Sequence, residues 1–204
     1  MENVNISFFF SSLRGSKKIE NGKITFNSLV YLDIRGVRDD FCDALAEAFD
    51  IQKNTKPLDS SFSIKSVTCS SPEIKSDALK IKMLSPLTIR KTEDGITYYY
   101  NPLDEDFSEQ INNNFQRKYT AFTGQKPISS IRLVPLSVGS KDKYVTTFKG
   151  IHITAWRGEY NLYGNSEYLN FLYYCGLGAR NSNSCKCFER NDNSKFSFLC
   201  NVSF

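Results

Sequence analysis

Histidine is nearly absent from this sequence: its 204 residues include one, His152. Metal sites built from cysteine and histidine need three or four ligands, commonly in closely spaced pairs. Cys185 and Cys187 form one such pair, but no second pair stands at a matching distance. We therefore expect neither a bound metal ion nor another cofactor.

Long apolar runs are also missing. No stretch approaches the ~20 apolar residues of a membrane helix, and "ISFFF" near the start is too short for the apolar part of a signal peptide. Cysteines are found at positions 42, 69, 175, 185, 187 and 200, and they would pair only in an oxidising compartment. We predict a cytoplasmic protein with reduced thiols and no membrane partner.

Aromatic residues are abundant, with 16 Phe and 11 Tyr, and a hydrophobic content of 40% suffices for a buried core. The net charge of +4 is mild, so it permits a polyanionic partner without requiring one. Its distribution is more informative, because residues 141–204 hold eight Lys and Arg against five Asp and Glu. The last third of the chain therefore carries much of the positive excess.

Residues 1–77 are predicted to form strand, strand, helix, strand. "ISFFFSSLRG" and "KITFNSLVYLDIRG" alternate apolar and polar residues around the turn "IENGK". "RDDFCDALAEAFDIQ" has a helical apolar period at Phe41, Leu45, Ala48 and Phe49, and "SFSIKSVTCSS" is a further strand. The polar "SSPEIKSD" marks the boundary of this first unit.

Residues 78–204 are predicted to form a second unit. Its strands are "ALKIKMLSPLTIRK", "GITYYYN", "SSIRLVPLSV", "KYVTTFK" and "GIHITAWRGEYNLYG". One helix covers "LDEDFSEQINNNFQRKYTAF", with an apolar face of Phe107, Ile111, Phe115, Tyr119 and Phe122. A second helix, "NSEYLNFLYYCG", has Asn165 or Ser166 as its N-cap and ends at Gly176. The tail "KFSFLCNVSF" could add one more strand.

The segment "GLGARNSNSCKCFER", residues 176–190, opens with Gly176 and Gly178. Glycines allow close backbone approach to a ligand, and grouped N–H donors suit phosphate. A nucleotide-binding loop runs from a strand into a helix, whereas this segment follows a helix and precedes a strand, so a P-loop is excluded. Two interpretations stay open: contact with an extended phosphate chain, or a plain helix end and turn.

Long phrases of the sequence resemble the CRISPR-associated repeat endoribonucleases of the Cas-six type, which cut precursor CRISPR RNA. The match runs from about Leu84 to Ser182, and "FFFSSLRG" through the first helix is similar more loosely. The phrases that carry it are "MLSPLTI", "YYYNPLDEDFSEQINNNFQRKYTAFTG", "FKGIHITAWRGEYNLYGNSEYLNFLYYCGLGARNS" and "CFE".

The resemblance implies an α+β fold of two ferredoxin-like (RRM-like) domains side by side, at residues 1–77 and 78–204. The first domain lacks the opening strand and helix of the family, so an exposed sheet edge is expected, which favours a dimer or another partner chain. The resemblance also implies that repeat RNA lies over a basic surface that includes the glycine segment.

The family's general acid–base histidine usually lies in or just after that missing helix. His152 stands where the family more often has an aromatic residue, and three roles stay open for it: a structural or surface residue, an RNA contact, or a catalyst. Tyr98, Tyr99, Tyr100 and Lys149 are weaker acid–base candidates, and none is singled out. We therefore assign no catalytic residue.

A second departure concerns the family's later glycine pair, which reads Ser184-Cys185-Lys186-Cys187 here. Lys186 would replace close backbone approach by a charge, or the loop takes another path. The residues that the resemblance and the charge pattern indicate for RNA contact are Gly176, Gly178, Arg180, Asn181, Ser182, Lys186, Lys149, Arg157, Arg117 and Lys118.

Two functions follow from these observations. In the first, the protein is degenerate and does not cleave; it holds CRISPR repeat RNA, or takes a family member's place among CRISPR effector-complex proteins, including as a viral antagonist of CRISPR immunity. In the second, it is an active metal-independent endoribonuclease that processes precursor CRISPR RNA. A misplaced start codon, a decayed gene and an unrelated α/β scaffold stay as further alternatives.

Overall fold

The structure, a computed structural model, describes residues 8–10, 13–21, 23–36, 39–51, 63–67, 72–179, 188–190 and 200–203. Its first half contains six strands and one helix among these residues. They are β1 (Phe8–Phe10), β2 (Lys17–Glu20), β3 (Lys23–Phe26), β4 (Val30–Leu32), β5 (Ile34–Gly36), α1 (Asp39–Ile51) and β6 (Ser63–Ser66).

The second half begins at Ala78. Its elements are β7 (Ala78–Met83), β8 (Arg90–Glu93), β9 (Ile96–Tyr99), α2 (Phe107–Thr123), β10 (Arg132–Ser137), a single 3₁₀ turn (Ser140–Asp142), β11 (Lys143–Phe148), β12 (Ile151–Trp156), β13 (Glu159–Tyr163), α3 (Ser166–Cys175), β14 (Phe188–Arg190) and β15 (Cys200–Ser203). None of the helices in the described ranges is long and apolar enough to cross a bilayer.

The main sheet of the second half has the strand order β10–β13–β7–β14, with antiparallel pairs throughout. With α2 after β7 and α3 after β13, this is the βαββαβ arrangement of a ferredoxin-like domain. Two hairpins are added to it, β8–β9 and β11–β12. The structure thus confirms the predicted fold class.

The core of this domain is an aromatic layer between the sheet and the two helices. Phe107, Ile111, Phe115 and Tyr119 are buried along α2, as their spacing predicts. Phe122, assigned to the same face, is instead 38% exposed, because it lies in the last turn and only the edge of the core is within its reach. Its ring centroid is still 5.7 Å from that of Phe171 on α3.

The ends of α2 differ from the predicted ones. The helix begins at Phe107, so Asp104, Glu105 and Asp106 precede its first turn rather than forming it. The Asp104 carboxylate instead accepts a hydrogen bond from the Asn101 backbone N–H at 2.8 Å and holds a turn. Gly124 ends the helix in the left-handed region, at a φ of 74°, where glycine is favoured.

The first half has more and shorter strands than predicted. The two long strands expected around "IENGK" are five short ones, of which only β2 and β3 form the predicted hairpin. β1 pairs instead with β5, and Arg14 makes an isolated bridge to Tyr31. On α1, Leu45 is half-buried but Ala48 is exposed, so the predicted apolar face is wrong at Ala48.

The two halves meet at a buried group of charged side chains. Asp33, which separates β4 from β5, is fully buried, and its carboxylate accepts a hydrogen bond from Arg14 Nη2 at 2.9 Å. Arg35 is buried as well, and its Nη1 donates to the backbone oxygens of Phe188 at 2.9 Å and Tyr173 at 3.4 Å. Side-chain contacts from β5 therefore reach both α3 and β14.

Burial raises the pKa of the Asp33 carboxyl above its ordinary value, against the opposing effect of Arg14 and Arg35. The folded state then holds this proton more tightly than the unfolded state. The contribution of Asp33 to stability is therefore complete below the unfolded pKa of about 3.9 and falls as the pH rises through the folded pKa. We expect Asp33→Asn to reduce the loss of stability with rising pH, as measured by urea unfolding from about pH 4 to 7.

The exposed Asp77 provides the control for that measurement. Asp77→Asn removes one negative charge from the surface and therefore measures the effect of losing a carboxyl group that is not buried. A dependence that is the same in Asp33→Asn and in the unsubstituted protein would contradict the raised pKa.

Candidate nucleic-acid interface

The glycine segment starts at the end of α3, as predicted. The Asn165 side chain caps the helix by accepting from the Tyr168 backbone N–H at 2.9 Å, and Gly176 ends it at a φ of 73°. The Gly176 N–H donates to the Leu172 oxygen at 2.8 Å. Gly176 thus closes the helix in a conformation that side chains other than glycine rarely adopt.

Gly178 allows two backbone segments to touch. Its φ is 76°, and a Cβ placed on it would lie 2.5 Å from Leu87 Cδ1 and 2.7 Å from the Thr88 oxygen. The next N–H, that of Ala179, donates to the same Thr88 oxygen at 2.8 Å. The close approach that glycine permits at this position is thus to the chain itself.

Thr88 joins the glycine segment to the hairpin β11–β12. Its hydroxyl donates to the Thr154 oxygen on β12 at 2.8 Å. The neighbouring residue Leu87 exchanges two backbone hydrogen bonds with Trp156, at 2.7 and 2.8 Å. The base of the hairpin and Ala179 therefore lie on either side of one buried threonine.

Lys118 reaches the same place from α2. Its ammonium donates to the Gly176 oxygen at 2.9 Å, so it compensates a carbonyl at the C-terminal end of α3, where positive charge is favoured. Arg117 precedes it on the helix and is exposed. Of these two basic residues, Lys118 thus contacts the glycine segment directly.

The hairpin β11–β12 is closed by Lys149 and Gly150, whose φ values are 50° and 77°. Two successive residues with positive φ are typical of the two-residue turns that match the twist of a hairpin. Lys149 and Gly150 are exposed, and so are Ile151 directly after the turn and Thr147 two positions before it, so the tip projects into solvent. Lys149 is held at that tip.

Basic and aromatic side chains alternate at the base of the hairpin. The Arg157 guanidinium carbon lies 5.7 Å from the ring centroid of Tyr144, and Lys143 Nζ lies 5.9 Å from that of Trp156. Tyr144 is 44% exposed, and the two cations are exposed as well. Trp156 is buried at 8% exposure, so Tyr144 is the ring of this pair that an unstacked base could contact, while both cations can contact phosphates.

His152 lies on β12 near the hairpin tip and is exposed. Its Nδ1 is 3.2 Å from the Thr147 hydroxyl on the paired strand β11. On β12, Ile153 and Ala155 are buried, whereas Ile151, which shares their face by alternation, is 51% exposed. The hairpin leaves the core at this point, so both faces meet solvent.

The tyrosines proposed as weaker acid–base groups lie on β9 and just after it. Tyr98 donates its hydroxyl proton to the Asp104 carboxylate at 3.0 Å, and this hydrogen bond raises the Tyr98 pKa. Tyr100 is buried. A raised pKa moves Tyr98 further from the range useful for proton transfer near neutral pH.

The structure thus brings together Gly176, Gly178 and Lys118 and joins them through Thr88 to the hairpin that carries Lys149 and Arg157. Arg180, Asn181, Ser182 and Lys186 lie outside the described residues, as do Cys185 and Cys187. The role of the first four of these residues in RNA contact stays a prediction.

Sequence reasoning missed Lys143, Tyr144 and Thr88 as parts of this interface. Lys143 and Tyr144 become neighbours of Trp156 and Arg157 only through the register of the hairpin. A Lys-Gly pair between two alternating strands was the available signal for that hairpin. Thr88 had no comparable signal, because its role depends on two segments far away in sequence.

Comparison with known families and proteins gives a consistent result. Residues 69–189, more than half of the chain, match the family model described as "CRISPR associated protein Cas6, C-terminal". The CRISPR-associated endoribonuclease Cas6 of Pyrococcus furiosus is 32% identical over 99 residues, 48% of this chain and 37% of that protein. The endoribonuclease Cas6 1 of Methanocaldococcus jannaschii is 29% identical over 106 residues, 50% of this chain and 41% of that protein. The chain thus spans less than half the length of these curated relatives in the matched regions.

Solved structures are similar over a larger part of the chain. A Cas6-related protein from Pyrococcus furiosus superposes with a TM-score of 0.76 and 18% identity, covering 93% of this chain and 80% of that one. A structure described as "An RAMP protein binding different RNA substrates" has a TM-score of 0.75 and 20% identity, covering 92% and 80%. At such identities the similarity shows the fold.

Proposed function

The chain belongs to the CRISPR-associated Cas6 family, and from that membership we propose that it binds CRISPR repeat RNA through the hairpin β11–β12 and the adjoining glycine segment. The observation that carries the proposal is the hairpin itself, where Arg157 and Lys143 lie beside the rings of Tyr144 and Trp156. The hairpin is joined to the glycine segment through Thr88.

The chemistry of this surface suits RNA better than a small nucleotide. Lys149 at the tip and Arg157 at the base are exposed cations, and the six-residue strands between them give a span of about 20 Å. Several successive phosphates fit along such a length. Tyr144 offers a ring for a base that has left its stack, which is how single-stranded RNA is commonly read.

We propose further that this protein holds the RNA without cleaving it. Metal-free RNA cleavage needs a base for the 2′-hydroxyl and an acid for the leaving oxygen. His152, the single histidine of the sequence, is exposed near the hairpin tip. Tyr98, the exposed tyrosine on β9, has a pKa raised by its hydrogen bond to Asp104. Among the described residues, no second titrating group lies within hydrogen-bond distance of His152 to form an acid–base pair.

A non-cleaving RNA-binding protein could occupy a family member's place in a CRISPR effector complex, and a viral copy would act as an antagonist of CRISPR immunity. Active processing of precursor CRISPR RNA is the second candidate. Its support is that the relatives from Pyrococcus furiosus and Methanocaldococcus jannaschii are CRISPR-associated endoribonucleases. The two candidates differ in one measurable step, cleavage.

The test mixes the purified protein with CRISPR repeat RNA and scores binding and cleavage separately, using a repeat with 2′-deoxy substitutions as the uncleavable control. We expect both RNAs to bind equally and neither to be cut. Cleavage of the unmodified repeat that disappears with His152→Ala would establish the enzyme instead. No binding to either RNA would overturn the proposed function.

Individual cations can be tested through the salt dependence of binding. Each phosphate contact that is removed lowers the slope of log K against log salt by roughly one unit, so we expect that change for Arg157→Ala and for Arg180→Ala. Lys75→Ala is the control, since Lys75 is exposed beside Glu73 outside the proposed surface. An unchanged slope would remove that arginine from the interface.

A further inference from the structure

The two halves of the chain use the same strand order. In the second half, β7 lies inside the sheet, between β13 and β14. In the first half, β1 pairs with β5, and β15 lies between β4 and β6. Only Asp33 separates β4 from β5. The first half thus has the order β1, β4–β5, β15, β6, again with antiparallel pairs, and β15 has the interior place that β7 has in the second.

The backbone of β4 is oriented for this pairing. The N–H and C=O of Tyr31 both bond to Arg14, at 2.8 and 3.0 Å. Since these groups point to alternate sides along a strand, those of Val30 and Leu32 point to the other edge, where β15 lies. The Cα register there pairs Leu32 with Cys200 and Val30 with Val202.

The opposite edge of β15 pairs with β6, where Ser203 faces Ser63 and Val202 faces Ile64. Without an occupant, β4 and β6 would each present unpaired backbone groups to the same gap. Val30 is fully buried, so that gap opens onto the core. A strand entering it gains hydrogen bonds on both sides, as in the addition of a peptide strand to a sheet.

The chain is long enough to provide its own occupant. β14 ends at Arg190 and β15 begins at Cys200, so nine residues connect them, and an extended chain of that length spans about 30 Å. β14 is already next to the first half, because the Phe188 oxygen accepts from Arg35 on β5 at 2.9 Å. The connection can therefore be made within one molecule.

In the structure residues 200–203 lie between β4 and β6, and we propose that this place is a strand-binding groove that the chain fills with its own residues, to the exclusion of a strand from another molecule. The end of the chain thereby holds the first half against the second. A second copy of the chain is the competing source of the strand. The sequence predicted a dimer through an exposed sheet edge of the first domain. With β15 in place, β4 and β6 offer no unpaired edge to a second copy in this groove.

Cross-linking in the full chain tests the proposal. Leu32→Cys places a thiol opposite the native Cys200. A hydrogen-bonded antiparallel pair has Cα atoms about 5.5 Å apart, within the roughly 4.4–6.8 Å that a disulfide spans. After mild oxidation and trypsin digestion, we expect residues 24–35 linked to residues 196–204, in protein that runs as a monomer. Tyr31→Cys is the matched control, because a shift of one residue moves the side chain to the other face.

Two outcomes would overturn the proposal: a link to Cys200 that forms equally in Tyr31→Cys, or a link that joins two copies. In case Leu32→Cys disturbs folding, the other edge is tested by Ser63→Cys with Ser203→Cys and Cys200→Ser, which should link residues 54–65 to residues 196–204. Absence of both links in folded protein would also refute it. RNA binding is not measured, so the result is independent of the proposed function.

Discussion

Replacing Arg35 by methionine is expected to lower the free energy of unfolding by about 3 kcal/mol, the largest effect of any single side chain at the contact between the halves. The substitution removes the donor to the Phe188 and Tyr173 oxygens and the guanidinium that lies 4.0 Å from the Tyr173 ring centroid. Hydrogen bonds from a charged group and a desolvated cation–π contact contribute about 1.5–3 and 2 kcal/mol.

Arg35 also lies next to the buried Asp33, whose charge it helps to compensate. Of the two arginines that offset the cost of burying that carboxylate, only Arg14 would remain. The methionine side chain restores part of the lost packing, which is why the expected loss is below the sum of the separate contacts.

Urea unfolding measures the effect, with two comparison variants. Arg35→Lys keeps the charge but not the planar group that bonds and stacks together, so its loss should be intermediate. Arg132→Met removes an exposed arginine that lies over the Tyr163 ring at 4.7 Å and should cost below about 1 kcal/mol. A loss for Arg35→Met no larger than that of Arg132→Met would show that the contact contributes little.

The second large effect is expected at Gly178, where alanine should cost about 2–4 kcal/mol of stability. A positive φ costs an alanine about 1–2 kcal/mol, and overpacking adds about 1–3. The new Cβ would lie 2.5 Å from Leu87 Cδ1 and 2.7 Å from the Thr88 oxygen. Leu87 Cδ1 can move aside, but the Thr88 oxygen is backbone and is held by the Ala179 N–H.

Two other glycines separate strain from packing in this experiment. Gly95 and Gly124 have φ values of 77° and 74° with nothing within 4 Å of a Cβ, so alanine at either site should cost only the conformational term. The difference between Gly178→Ala and these controls measures the packing against Thr88. Equal losses at all three sites would mean that the segment can shift to admit a methyl group.

Gly178 also shows the limit of motif reasoning. It follows a helix and precedes a strand, as predicted, since α3 ends at Cys175 and β14 begins at Phe188. The spacing of two glycines could not distinguish contact with a ligand from contact with the chain. In the structure both glycines are buried, and the close approach at Gly178 is to the Thr88 oxygen of the chain itself.

The amino-acid sequence determined the local elements of the second half and the family. Apolar spacing placed Ile111 and Phe115 inside, Asn165 capped α3, and the long shared phrases of residues 84–182 identified the family that the family model then matched. Such features depend on neighbours within a few positions, so periodicity and capping rules recover them.

Only the tertiary structure decided which distant segments meet. Arg35 reaches Phe188 across 153 positions and Thr88 reaches Thr154 across 66, while the strand that fills the first sheet comes from the other end of the chain. Backbone hydrogen bonds are alike for every residue type except proline, so a strand's partner leaves little trace in its own sequence. The partner is selected by which strand edges the packing of distant segments leaves unpaired.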